Sequence, residues 1–284
     1  MIFHDLSKRA IYTIISLLII AALLIFAYVP LVSWVITLLT ATLGGIAMWE
    51  FVKLTNLSSK KHYRQLLILS TVVVILGFYC STLKSAFALL PLALLFLGII
   101  AVFVYHFNKI QGCTQSIAQG FFGLFYVAVP LGLILKILYL YSACKIGHEG
   151  RMWLIYLLVV TKITDVGAYF GGRLFGNKKL AASISPGKTV AGALSGFVVA
   201  IIFSFIFYAL SHMIPSFYLT FYESLWLGAL IGIFGQVGDL AESLLKRDAD
   251  VKDSNRLPGL GGILDMVDSL LFTAPLIYFF LYFC

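Results

Sequence analysis

Residues 10–49 read AIYTIISLLIIAALLIFAYVPLVSWVITLLTATLGGIAMW, a run without one charged side chain and interrupted only by Pro30. A helix rises about 1.5 Å per residue, so roughly 20 apolar residues cross a hydrocarbon layer about 30 Å thick. The run therefore divides into two spans, Ala10–Val29 and Leu31–Trp49, with a tight hairpin at the proline. Lys8 and Arg9 ahead of it imitate a secretory signal. The apolar part is as long as a full span, however, and no A-x-A cleavage site follows, so an uncleaved first span is expected.

The same pattern continues outward to the end of the 284-residue chain, which is 61% hydrophobic and 11% charged. Soluble domains carry about a quarter charged residues, and no stretch here is left over to build one. Further spans are predicted at Gln65–Leu83, Ala86–Tyr105, Gly120–Leu140, Met152–Gly172, Val190–Leu210, Ser224–Ala241 and Leu264–Cys284. The fold class is thus all-α, a polytopic membrane bundle of about nine helices. Residues 1–150 read as transmembrane scaffold and 151–284 as the transmembrane catalytic region.

The net charge of +8 reflects topology rather than nucleic-acid binding. With the N-terminus inside and the C-terminus outside, only Lys84, Lys145 and Arg151 fall in outer loops, and Lys136 and Lys162 lie within spans. The rest of the 20 Lys and Arg residues are cytoplasmic. The four cysteines are scattered without a CxxC pair, which excludes a zinc motif or a disulfide framework.

Acidic residues are the informative class. Of the 12 Asp and Glu, only Asp5, Glu50 and Glu149 precede Asp165. A charge at membrane depth is costly unless paired or bound to an ion, so each marks a candidate site. Lys162 and Asp165 share a helix face at i, i+3. Gly187-Lys188-Thr189 ends like a phosphate-binding loop, but Ala182 stands where the leading glycine belongs and no strand is expected before it. Lys188, Ser185 and Thr189 beside Gly and Pro still suit phosphate oxygens at the start of the next helix. Asp239 and Glu242 at the end of one span, and Asp265 and Asp268 at the mouth of the last, form two i, i+3 carboxylate pairs. Oxygen donors without a histidine partner suit a hard cation such as Mg²⁺. Lys246, Arg247 and Lys252 stand nearby to meet phosphate charge.

These residues resemble the phosphatidate cytidylyltransferase family, whose C-terminal signature runs approximately S-x-x-K-R-x4-K-D-x4-[LIF]-P-G-H-G-G-x-x-D-R-x-D. Ser243, Lys246, Arg247, Lys252, Asp253, Leu257, Pro258, Gly259, Gly261, Gly262, Asp265 and Asp268 fall on it in register. Asp165-Val166-Gly167-Ala168-Tyr169, Gly172-Arg173-Leu174-Phe175-Gly176, Ile184-Ser185-Pro186 with Lys188-Thr189, and Gly238-Asp239-Leu240 with Glu242-Ser243 match upstream. The likeness covers about Thr164 to Ser269. Leu260 replaces the usual His, Met266 the usual Arg, and Ala191 a usual Glu.

The resemblance implies transfer of CMP from CTP to phosphatidate, giving CDP-diacylglycerol and diphosphate. It makes Asp239, Asp265 and Asp268 metal ligands, with Glu242 beside them, and Lys246 and Arg247 part of the catalytic set. Asp165, Arg173, Ser185, Lys188, Thr189, Lys252 and Asp253 become substrate-binding residues. The implied cofactor is Mg²⁺ or another hard divalent cation, with room for a second cation. Expected partners are CTP, phosphatidate and the bilayer, with self-association into a homodimer left open. The implied location is the cytoplasmic (inner) membrane, multi-pass, with the site facing the cytoplasm. A CTP-dependent lipid-alcohol kinase is the nearest alternative, and an ion-coupled transporter a more distant one.

Overall fold

Pro30 opens the first long helix, because its fixed φ and missing N–H suit position N1. The computed structural model describes residues 18–55, 57, 61–108, 110–139, 149–214, 217–251 and 262–283. Residues 18–25 (α1) are helical and form the described part of the expected first span. There follow α2 (Pro30–Leu54), α3 (Lys61–Leu83), α4 (Leu90–His106), α5 (Cys113–Gly123), α6 (Val129–Leu138), α7 (Gly150–Phe175), α8 (Val190–Ser211), α9 (Phe221–Asp248) and α10 (Ile263–Phe283). Among the described residues, eight helical segments are long and apolar enough to cross a membrane, with α5 and α6 joined in one of them.

That joined segment, Cys113–Leu138, contains a π turn at Leu124–Ala128. Pro130 follows two residues after it, and a proline there has no N–H to give the preceding turn. The wider turn accommodates the lost bond.

Large apolar side chains point outward, among them Leu92 (64% exposed), Phe96 (62%) and Leu194 (61%). In water such faces would aggregate; in lipid they are solvated. Between helices the chain uses small residues instead, as close packing in a bilayer requires. A Cβ on Gly196 would stand 2.9 Å from the Thr164 carbonyl oxygen, and one on Gly192 only 2.6 Å from that of Ala168. α7 and α8 therefore touch backbone to backbone. α8 packs on α9 and α9 on α10, while α10 also rests on α6 and α2. The helices before and after residue 150 thus share one packed bundle.

Two local expectations need correcting. The stretch between α7 and α8 is not simply loop: β1 (Lys179–Ala181) and β2 (Ser185–Thr189) pair antiparallel, Lys179 opposite Thr189 and Ala181 opposite Ser185. The eighth span does not stop at Ala241. α9 runs 28 residues from a Thr220/Glu223 capping box to Asp248, carrying Glu242, Lys246 and Arg247 on a helix rather than a loop. Good helix formers (Leu244, Leu245) and basic residues in the last turn favour the extension.

Candidate active site

Asp165, Ala168, Tyr169, Gly172 and Arg173 recur at helical spacing and give α7 one polar face. That face, β2, the first turn of α8 and the end of α9 enclose a cavity of about 460 Å³. Small-molecule sites commonly measure about 300–1,000 Å³. Ser185, Gly187, Lys188 and Thr189 line it from β2, Gly192 and Ala193 from α8, and Gln236 and Asp239 from α9.

Two ion pairs involve the cavity's carboxylates. The Lys188 ammonium lies 2.8 Å from Asp239 Oδ2, and the Lys162 ammonium 3.6 Å from Asp165 Oδ2. Lys162 also donates to the Met266 carbonyl oxygen at 3.1 Å, joining α7 to α10. Asp268 on α10 is 7% exposed, and its nearer oxygen accepts from the Ser269 N–H at 2.5 Å. Its charge interacts with those of Asp239 and Asp165, so carboxylates from α7, α9 and α10 share one electrostatic neighbourhood. Gly238 permits this convergence: a Cβ there would stand 2.5 Å from the Asp268 carbonyl oxygen.

A second cluster lies beside the first. The Lys246 ammonium contacts Glu242 Oε2 at 2.5 Å and Asp265 Oδ1 at 2.7 Å. The other Asp265 oxygen accepts from the Gly262 N–H at 3.2 Å. The structure therefore divides the four carboxylates expected to share a cation. Asp239 and Asp268 face a common region with Asp165, whereas Glu242 and Asp265 both close on Lys246. The i, i+4 spacing of Glu242 and Lys246 on α9 makes that contact local, and Asp265 completes it from α10.

The basic residues also divide. Arg173 lines the cavity and donates to the Tyr169 hydroxyl at 3.3 Å. Arg247 instead donates from Nε to the Ile184 carbonyl oxygen at 3.0 Å, fastening the hairpin to α9. Thr189 lines the cavity and also caps α8, its hydroxyl accepting from the Gly192 N–H at 3.1 Å. Lys252 and Asp253, together with Leu260, lie outside the described residues.

Among the described residues, no three His, Cys, Asp or Glu side chains stand close enough to enclose an ion unaided. Mg²⁺ does not need such a cage, since it keeps several waters and is commonly held by one or two carboxylates plus substrate phosphates. Asp165 and Asp239, which both line the cavity, are a pair of oxygen donors that fits that habit.

Two residues escaped the sequence reading. Gln236 stands one helical turn before Asp239, its amide donating to the Ala193 and Gly232 carbonyl oxygens at 3.1 and 2.8 Å. Glu50, at the end of α2, is fully buried, and both its oxygens accept N–H groups at the start of α10. A carboxylate at the very edge of the uncharged run 10–49 was the available signal.

The chain is 34% identical to the phosphatidate cytidylyltransferase of Chlamydia pneumoniae over 295 residues, covering 98% of this chain and 92% of that protein. It is 31% identical to the enzyme of the same name from Bacillus subtilis (strain 168) over 284 residues, covering 98% of each. A shorter likeness, 40% over 136 residues, joins 48% of this chain to 44% of the uncharacterized Escherichia coli (strain K12) protein YnbB. Residues 7–284 match the cytidylyltransferase family, and this multi-pass membrane chain belongs to that family.

Proposed function

We propose that this chain transfers CMP from CTP to phosphatidate, releasing diphosphate and forming CDP-diacylglycerol. One observation carries the reading: membrane-spanning helices and β2 form a cavity lined by the Asp239–Lys188 ion pair, Asp165, Arg173 and the Ser185 and Thr189 hydroxyls. The similarity in sequence to enzymes named for this reaction, at 34% and 31% identity over nearly the whole chain, supports the same conclusion.

In the reaction, a phosphate oxygen of phosphatidate attacks the α-phosphorus of CTP. The bond from that phosphorus to the bridging oxygen breaks, and the electron pair leaves with diphosphate. The nucleophile is already anionic at neutral pH, so no side chain has to remove a proton. The obstacle is the approach of one anion to another. Asp165 and Asp239, with Asp268 as the candidate from α10, would hold Mg²⁺ or a similar hard divalent cation, which would supply positive charge at the phosphate oxygens. Lys188, paired with Asp239, and Arg173 both line the cavity and would meet the charge of the triphosphate there. Ser185 and the α8 N-terminus present further donors. The lipid phosphate enters sideways from the bilayer, with its tails left among apolar helix faces.

The excess of lysine and arginine in the loops on one side supports a cavity that opens toward the cytoplasm. Purified protein in mixed micelles, given CTP, phosphatidate and Mg²⁺, tests the reading. Wild type forms CDP-diacylglycerol, whereas Asp239→Asn and Asp268→Asn lose at least about a hundredfold, the scale of removing a charge that acts on the transition state. Full activity in both variants would remove the site assignment.

A further inference from the structure

The start of α10 is capped from the other half of the chain. Glu50 Oε1 accepts from the Ile263 N–H at 3.1 Å and Glu50 Oε2 from the Leu264 N–H at 2.8 Å. These residues are 213 and 214 positions apart in sequence. Helices ordinarily satisfy their first free N–H groups with a Ser, Thr, Asp or Asn just ahead of the first turn. Here a residue of α2 does so, inside the bundle and with zero exposure.

The consequence lies one turn away. Asp265 Oδ2 takes the neighbouring Gly262 N–H, and its Oδ1 meets Lys246. Asp268 follows at the next turn. Two oxygens fixed to consecutive N–H groups restrain a helix end in both translation and rotation, as a single contact does not. A carboxylate site needs its ligands held to within about 0.5 Å.

We propose that Glu50 is a positioning residue for the transfer reaction, setting the depth and rotation of α10 and hence where Asp265 and Asp268 stand relative to α9. The inference rests on the function proposed above and adds to it. It gives the N-terminal helices a role beyond solvating the bundle in lipid: α2 is the abutment against which α10 is set.

Glu50→Gln keeps size and shape but offers one accepting oxygen instead of two. Glu50→Asp keeps both oxygens on a stem one methylene shorter. Each variant is purified in detergent, its folded fraction measured by size-exclusion elution and thermal midpoint, and its kinetics normalised to folded protein. In Glu50→Gln, kcat falls about tenfold, the scale of one lost hydrogen bond to a charged group. The Mg²⁺ concentration for half-maximal rate rises, while KM for CTP stays within about twofold because the cavity on α7, β2 and α8 is untouched. Combining Glu50→Gln with Asp268→Asn adds little to the loss in Asp268→Asn alone, since both act through the same helix. Unchanged kcat and Mg²⁺ dependence in folded Glu50→Gln overturns the proposal. So do losses that multiply independently in the double variant, or failure of both single variants to fold, which makes Glu50 a folding residue only. Wild-type protein that transfers no CMP from CTP under Mg²⁺ sinks the functional reading itself, a result distinct from any of these.

Discussion

Lys246 is the residue at which the structure departs most from a simple phosphate-binding role, and replacing it with Met gives a quantitative consequence. Its ammonium lies between Glu242 at 2.5 Å and Asp265 at 2.7 Å, with side chains 14%, 1% and 24% exposed respectively. Methionine retains the apolar stem and removes the charge. Two acidic groups then face each other with their shared cation gone. Breaking a buried pair this way costs about 3–5 kcal/mol, and the lower end applies because the Gly262 N–H still supports Asp265. At about 2–4 °C per kcal/mol for a chain approaching this size, the thermal midpoint falls by about 6–12 °C. Size-exclusion elution of detergent-solubilised protein after heating measures it. Adding Glu242→Gln removes one stranded charge, so the double variant recovers a large part of the loss. An unaltered midpoint in Lys246→Met, with only a raised KM for CTP, refutes the reasoning and returns Lys246 to the substrate.

Lys188→Met has the opposite signature. Lys188 is on a two-stranded hairpin, paired with Asp239 alone, so steady-state kinetics show KM for CTP raised at least about tenfold, the worth of one charge-assisted phosphate contact. The thermal midpoint moves little, because an ion pair whose side chains are 24% and 37% exposed contributes under about 1 kcal/mol. Gly238→Ala tests helix convergence. The added methyl meets the Asp268 carbonyl oxygen at 2.5 Å and Ser269 Cα at 3.1 Å, so α9 and α10 must separate. Overpacking costs about 1–3 kcal/mol, and activity falls further than thermal stability; a fully active Gly238→Ala variant contradicts the close approach of these helices.

The spans from Leu31 onward were legible in the sequence because a bilayer enforces them: a stretch such as residues 31–49 has no other way to hide so much apolar surface or satisfy so many backbone groups. The candidate site was legible as a set of residues, since every Asp and Glu at membrane depth needs a reason. Its internal pairing was not. Whether Asp265 meets Asp239 or Lys246 depends on how far α10 is inserted and turned, and that is fixed by Glu50, 213 residues before Ile263. No periodicity on α10 carries such information. The hairpin was missed because strands as short as Lys179–Ala181 leave too few residues for an alternation to show. Lys188 is aimed at Asp239 from that hairpin, whereas a loop would leave it unplaced. The end of α9 was set too early because Glu242, Lys246 and Arg247 look like a polar loop, although Lys246 meets Glu242 on the helix and Asp265 on α10, and Arg247 donates to the Ile184 carbonyl oxygen.

The fate of the CTP phosphorus atoms tests the central claim most directly. Wild-type protein is supplied with phosphatidate, Mg²⁺ and CTP labelled either at the α- or at the γ-phosphorus. Cytidylyl transfer places the α label in the lipid and releases the γ label as diphosphate. γ label in the lipid, with the α label left on free CDP, would mean that this cavity transfers a terminal phosphate instead, and the proposed reaction would be wrong.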